Sequence, residues 1–269
     1  MPAAALAFAL GAAFLHAFWN VLLARASDIQ AATAVAVAVS VVAFAPLAAV
    51  TWRVEGDAVP YIAASSLLQL AYFVVLAAAY QRAEVSLVYP VARGLAPVIT
   101  LAVGVALLGA ATSTAQVAGV LLVASGVVLV RGLRQAPDRR GVALGVVVAA
   151  LIAGYTLVDN AGIEHGDPIA YLELVLVGPA LVYLAVVGRT RARRELGVRN
   201  VVVGLSGFGA YALVLAALNL APAAPVAAVR ETSVVIATAL AALLLHERVS
   251  LERAAGAVLV AAGVVLISA

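Results

Sequence analysis

Cysteine is absent from this chain, and so is lysine. Without cysteine there are no disulfides, no thiolate metal site and no cysteine nucleophile, and the redox compartment is left open. All 16 basic residues are arginines. Most sit in short loops, with no basic patch interleaved by aromatics, so nucleic acid is not an expected partner. Charge as a whole is scarce: 11% of residues are charged and 66% are hydrophobic. A soluble domain is about a quarter charged and about half apolar. A chain this apolar would leave too much greasy surface in water, so the composition demands lipid as solvent. Catalytic signatures are missing too. There is no GxxxxGKS or GxxxxGKT phosphate loop, hence no sign of ATP-driven pumping. There is no HExxH, and His16, His165 and His246 are scattered, which argues against zinc. Ser206-Gly207-Phe208-Gly209 lacks the GxSxG frame and a partner histidine. The chain does not read as an enzyme, and no cofactor or metal is expected.

What is present is a series of long apolar runs. Ten can be marked: Ala3–Ala24, Ala31–Trp52, Val59–Tyr80, Glu84–Gly109, Thr114–Val130, Gly141–Ala161, Pro168–Gly188, Val201–Leu220, Ala223–His246 and Leu251–Ser268. Ten spans of about 20 residues fit a chain of 269. Backbone polar groups in lipid must be satisfied within the segment, and no alternating barrel pattern occurs, so the runs predict helices. Met1 to Ala24 has no charged leader and is followed by further spans, so it reads as the first span and not as a cleaved signal.

The chain repeats itself. Sliding by 138 residues lays Glu84–Gly109 over Pro222–Glu247, with Val88 on Val226, Val91 on Val229 and Thr100 on Thr238. Sliding by 137 lays Ser113 on Ser250, Gly119 on Gly256 and Gly126 on Gly263. In so aliphatic a sequence the glycines at spacing seven carry most of the weight. The reading is an all-α membrane protein of ten transmembrane helices in two five-helix repeats, 1–131 and 141–269, joined by a cytoplasmic linker at 132–140. An odd number of spans per repeat inverts the second against the first. Thirteen arginines then fall on one face of the membrane and only Arg53 on the other. By the positive-inside rule both termini lie outside, in a bacterial inner membrane.

Against this background the intramembrane charges stand out. Arg93 lies mid-span between Pro90 and Pro97, where an unmet charge costs several kcal/mol. Glu231 is its repeat equivalent, at nearly the same depth from the opposite face. A structural salt bridge is the competing reading of this pair. Arg230, next to Glu231 and about 100° round the helix, is an alternative counterpart. Tyr89 shares a face with Arg93, four residues away. Proline frees a backbone carbonyl, and helices interrupted at matching places of two halves point to a transport site. On the first span His16, Trp19 and Asn20 form one polar-aromatic face. On the sixth, Tyr155, Asp159 and Asn160 match it, Asn20 and Asn160 being 140 apart. These sets either line a cavity, with His16 and Asp159 able to take a proton, or form hydrogen-bonded helix seams. Asp159 lies toward the outer end of its span. Glu173 is a weaker candidate and reads equally as an interfacial charge. Glu164, His165 and Asp167 read as solvated loop groups.

Three stretches resemble the EamA-type branch of the drug/metabolite transporter superfamily. They are His16-Ala17-Phe18-Trp19-Asn20, the run Tyr89-Pro90-Val91-Ala92-Arg93-Gly94-Leu95-Ala96-Pro97, and Ala227-Ala228-Val229-Arg230-Glu231 with Leu245-His246-Glu247-Arg248-Val249-Ser250. The run from Gly256 to Gly263 also fits. The resemblance covers essentially the whole chain. It implies ten helices as two inverted five-helix repeats, with a cavity lined by helices like the fourth and ninth here. It also implies secondary transport of small metabolites, often export. One departure is clear: the glutamate usual after the fourth helix is kept as Glu247 in the second repeat but is Ala110 in the first. The expected activity is secondary active export of a small metabolite, such as an amino acid or organic anion, by alternating access. The expected partners are that substrate, coupled protons and membrane lipid. Alternatives are a carrier for a lipid or lipid-linked sugar, with Arg82 and Arg248 meeting phosphate, or a non-transporting scaffold.

Overall fold

A computed structural model describes residues 1–23, 25–82, 85–131, 139–236, 239 and 251–268; for some helical residues, Tyr89 and Pro90 among them, it describes the backbone alone. The helices are α1 (Ala3–Leu23), α2 (Ile29–Val50), α3 (Val59–Arg82), α4 (Val85–Ala106), α5 (Thr114–Arg131), α6 (Arg139–Gly162), α7 (Pro168–Val187), α8 (Arg189–Arg194), α9 (Val198–Leu218), α10 (Ala223–Arg230) and α11 (Leu251–Ser268). Residues 232–236 are again helical after a turn at Glu231. Among the described residues, six stretches are long and apolar enough to cross a membrane, Ala3–Leu23, Ile29–Val50, Gly56–Leu76, Arg139–His165, Pro168–Val187 and Val198–Leu218; Val91–Ala106, Thr114–Leu129 and Ala254–Ile267 are shorter apolar helices. The linker at 132–138, Glu84, Thr238, His246, Glu247 and Arg248 lie outside the described residues.

Local chemistry sets the ends of these helices. Asp28 caps α2, its Oδ1 accepting from Ala31 N at 3.1 Å. Asp167 caps α7, accepting from Ile169 N at 2.9 Å and Ala170 N at 3.3 Å, with Pro168 at the first helical position where its missing N–H is harmless. Gly188 ends α7 at φ 80°, a conformation that a side chain would strain.

Packing pairs the halves. Taking α1 with α6, α2 with α7, α3 with α9, α4 with α10 and α5 with α11 as equivalents, contacts come in exchanged sets. Thus α1 packs on α9 as α6 packs on α3, and α4 packs on α6 as α10 packs on α1. The α2·α7 and α5·α11 contacts map onto themselves. Both of these self-pairs run antiparallel. In α5 and α11 the seven-spaced glycines are the crossing points: a Cβ on Gly119 would stand 2.7 Å from Gly263 O, and one on Gly126 2.6 Å from Gly256 O. The backbones touch, and only glycine permits it. Equivalent helices running in opposite directions are what an inverted repeat requires.

The α2–α7 pair is fastened at both ends, which α2 sets about 33 Å apart. At one end Arg191 donates to both carboxylate oxygens of Asp28, at 2.8 and 3.0 Å. There Ser27 Oγ donates to Glu195 at 2.6 Å, and Arg199 pairs with Glu195 at 2.9 Å. The Arg191 hydrogen bond holds the Asp28 carboxyl below the usual carboxylate range, and the Ser27 hydrogen bond does the same for Glu195. At the other end Thr51 Oγ1 donates to Asp167 at 3.0 Å, and Val54 forms an antiparallel bridge with Gly166.

Between α7 and α9, Arg189–Arg194 forms the short helix α8, with Arg191 anchored by Asp28. Two expectations need correction. The run Ala223–His246 is interrupted at Glu231, while α4 stays helical across both Pro90 and Pro97. Glu231 N donates to Ala228 O at 3.1 Å and Val234 N to Glu231 O at 3.0 Å, so the ladder tightens to three-residue spacing there. Asp167 is a helix cap and a fastening between halves, not merely a solvated charge. Asp159 stands toward the end of its helix and is completely buried.

Candidate functional site

The break in the second repeat sits at the buried charges. Arg93, on α4, is 5% exposed; Arg230 and Glu231, at the end of α10, are 7% and 2% exposed. Arg93 Nη1 lies 3.5 Å from Glu231 Oε1. Arg93 Nη2 contacts His16 Nε2 on α1. A guanidinium can only donate, so His16 Nε2 must accept, which places the imidazole proton on Nδ1. Arg93 therefore ties together both repeats. Glu231 Oε2 has no hydrogen-bond partner among the described residues. Arg230 points elsewhere: its guanidinium carbon stands 5.5 Å from the centroid of the Tyr211 ring, a cation–π geometry. The adjacent charges thus diverge, as the helical angle between them demands.

Beside them is a cavity of about 150 Å³ between the halves. His16, Trp19, Gln69, Tyr72, Arg93, Tyr155, Tyr211 and Arg230 are prominent in its polar and aromatic wall, which Thr33, Ser40, Phe73, Phe208 and small or aliphatic residues of α1, α2, α7 and α9 complete. His16 and Trp19 meet edge to face at 4.9 Å. Tyr155 stands edge-on to Tyr72 and to Tyr211, with centroids 5.9 and 5.8 Å away. Behind Tyr211 lies Asp159. Its Oδ1 accepts from Tyr171 OH at 2.9 Å, and its Oδ2 accepts from Tyr211 OH. Tyr211 thus links a buried carboxylate to the cavity and to Arg230.

The candidate residues are distributed unequally. His16, Trp19, Arg93, Tyr155 and Arg230 line the cavity. Among the described residues Glu231 meets the lining through Arg93, and Asp159 through Tyr211. Asn20 and Asn160 do not line it: Asn20 Nδ2 donates to His16 O of its own helix at 2.7 Å, and Asn160 Oδ1 is buried without a partner among the described residues. The polar faces of α1 and α6 are split, because residues one position apart point about 100° apart. The Tyr89 side chain lies outside the described residues. Glu173 is buried in α7, away from the cavity lining, and its Oε2 is unpartnered among the described residues. Gln69, Tyr72, Tyr171 and Tyr211 were not expected. Tyr72 and Tyr211 are 139 residues apart, and so are Asp28 and Asp167, a repeat-offset signal present in the sequence.

The profile of the EamA-like transporter family matches residues 3–132 and again 139–269. The chain belongs to the EamA-like transporter family. This EamA-like chain is therefore an integral multi-pass membrane protein and a membrane transporter of the drug/metabolite transporter type, in a family of transporters and not of enzymes. It superposes on a solved crystal structure, described simply as that of a protein, with a TM-score of 0.79 over 100% of this chain and 99% of the other, at 15% identity. At that identity the likeness shows the fold alone. No curated protein matches the EamA-like chain in sequence.

Proposed function

We propose that this chain is a secondary active transporter that exports a small metabolite, such as an amino acid or organic anion, by alternating access. Its working form would have ten transmembrane spans in units 1–131 and 141–269, joined by a cytoplasmic linker at 132–140, with both termini outside a bacterial inner membrane. The observation that carries the reading is the Arg93–Glu231 pair. It lies beside the cavity, between a helix of one repeat and the point where the matching segment of the other leaves its helical ladder. A buried guanidinium held by a partner that can exchange it suits capture of an anionic group.

His16 supplies a route for coupling. While Nε2 accepts from Arg93, it cannot hold a proton. A proton arriving at Nε2 would turn His16 into a cation facing a cation and release Arg93 toward a carboxylate in the cavity. Glu231 and Asp159 are the further proton-carrying groups, with Arg230, Tyr155 and Trp19 shaping the substrate wall. The test is uptake and efflux in inside-out and right-side-out vesicles under an imposed pH gradient. Loss of flux in Arg93→Ala and Glu231→Gln, with both proteins folded, supports the assignment; full activity in both sinks it.

A further inference from the structure

A second concavity lies on the outer flank, away from the central site, between α2 and the segment running from α7 into α8. Its volume is about 460 Å³. Its floor is one face of α2, Val35, Ala38, Val39, Val42 and Ala43, at the three- and four-residue spacing of a single helical stripe. Leu184, Ala192 and Leu196 close the opposite wall. At its mouth are Arg189 and Arg193, four residues apart on α8 and both exposed.

Depth and charge fit together. Val35 lies six residues and Ala43 fourteen residues into α2, so the apolar floor runs from roughly 9 to 21 Å below the helix start. That is acyl-chain depth, with the arginines at headgroup level. Among the described residues neither forms an ion pair, since the nearby Asp28 is engaged by Arg191 and Glu195 by Arg199. Arg191 turns to the protein, while Arg189 and Arg193 turn to the groove.

We infer that this groove is a binding site for one anionic phospholipid of the arginine-rich leaflet, its phosphate held by Arg189 and Arg193 and one acyl chain laid along Val35, Val39 and Val42. The lipid is a bound partner on the outer wall and not the cargo of the central cavity. Two cations at the interface, each worth about 1 kcal/mol, favour an anionic over a zwitterionic lipid by about tenfold or more.

The experiment is native mass spectrometry of the full-length protein, delipidated in detergent and titrated with phosphatidylglycerol, phosphatidylcholine or inorganic phosphate. Wild type should hold one phosphatidylglycerol about tenfold more tightly than phosphatidylcholine. R189Q/R193Q should abolish that preference, whereas R139Q/R194Q, which removes the same charge from exposed positions outside the groove, should keep it. Ala38→Phe, which fills the floor without touching charge, should weaken the adduct with either lipid. The site is overturned if the two double variants behave alike, or if inorganic phosphate competes as well as lipid. It is overturned also if A38F leaves lipid adducts intact while shifting the monomer–dimer distribution, which would assign the groove to a second copy. All variants are checked for wild-type elution and melting, so that loss of fold is not read as loss of a site.

Discussion

Arg93 Nη1 meets Glu231 Oε1 at 3.5 Å across 138 residues of sequence, the same offset that superimposes the two halves of the chain. Each residue occupies the place of the other in its own repeat, and the inverted arrangement brings the two places together.

Removing one member of this pair leaves an uncompensated buried charge. Arg93→Ala and Glu231→Leu should each cost about 3–5 kcal/mol, whereas the double replacement Arg93→Met with Glu231→Leu should recover most of that loss. Thermal unfolding of the purified variants checks this. Transport should be absent in all three, including the refolded double variant. A double variant that is both stable and fully active would show that the pair is a structural bridge alone.

His16→Gln keeps an acceptor for Arg93 but removes a group that takes a proton. The variant should fold normally and transport with a flattened dependence on pH. An unchanged pH profile would remove His16 from the coupling route.

Tyr211→Phe keeps the ring beneath Arg230 but deletes the hydroxyl that donates to Asp159. Leaving that buried carboxylate oxygen short of a donor should cost about 1–3 kcal/mol in melting experiments. Tyr211→Ala, which also removes the cation–π partner and opens a hole, should cost more than Tyr211→Phe.

Gly126→Val should destabilise the contact between halves, because the new Cβ would stand 2.6 Å from Gly256 O. The expected cost is about 1–3 kcal/mol, measured against Gly207→Val, where nothing lies within 4 Å.

The fastening at the arginine-rich end has a defined response to acid. Asp28 and Glu195 both titrate below the ordinary carboxylate value of about 4, so their stabilising contribution is complete above that value and fades only as pH falls through their lowered values. Hydrogen exchange of residues 25–31 should therefore be flat from pH 5 to 8, after correction for intrinsic rates, and rise only in stronger acid. A rise near pH 6 would contradict the carboxylate assignments.

Much of this was legible in the chain itself. The scarcity of charge demanded lipid, and lipid demanded helices. The shared offset of Arg93 and Glu231 proposed their meeting. What local sequence did not reveal is where side chains point once helices pack. Asn20 satisfies its own backbone, Asn160 turns from the cavity, and Arg230 takes Tyr211 instead of Arg93. Tyr211 itself, an unremarked aromatic in an apolar helix, gains its role only because α9 packs against α6 and α7 and brings its hydroxyl to Asp159.

By itself the sequence determined the solvent, the helical class, the duplication and the shared offset of the buried charges, because each follows from composition, period and offset along one chain. Only the tertiary structure decided which charge faces which, that the second repeat breaks at Glu231, and that Asp28 and Asp167 fasten opposite ends of one helix pair. The Arg93–Glu231 pair and the two fastenings join residues more than a hundred positions apart, and their geometry is set by how whole helices pack.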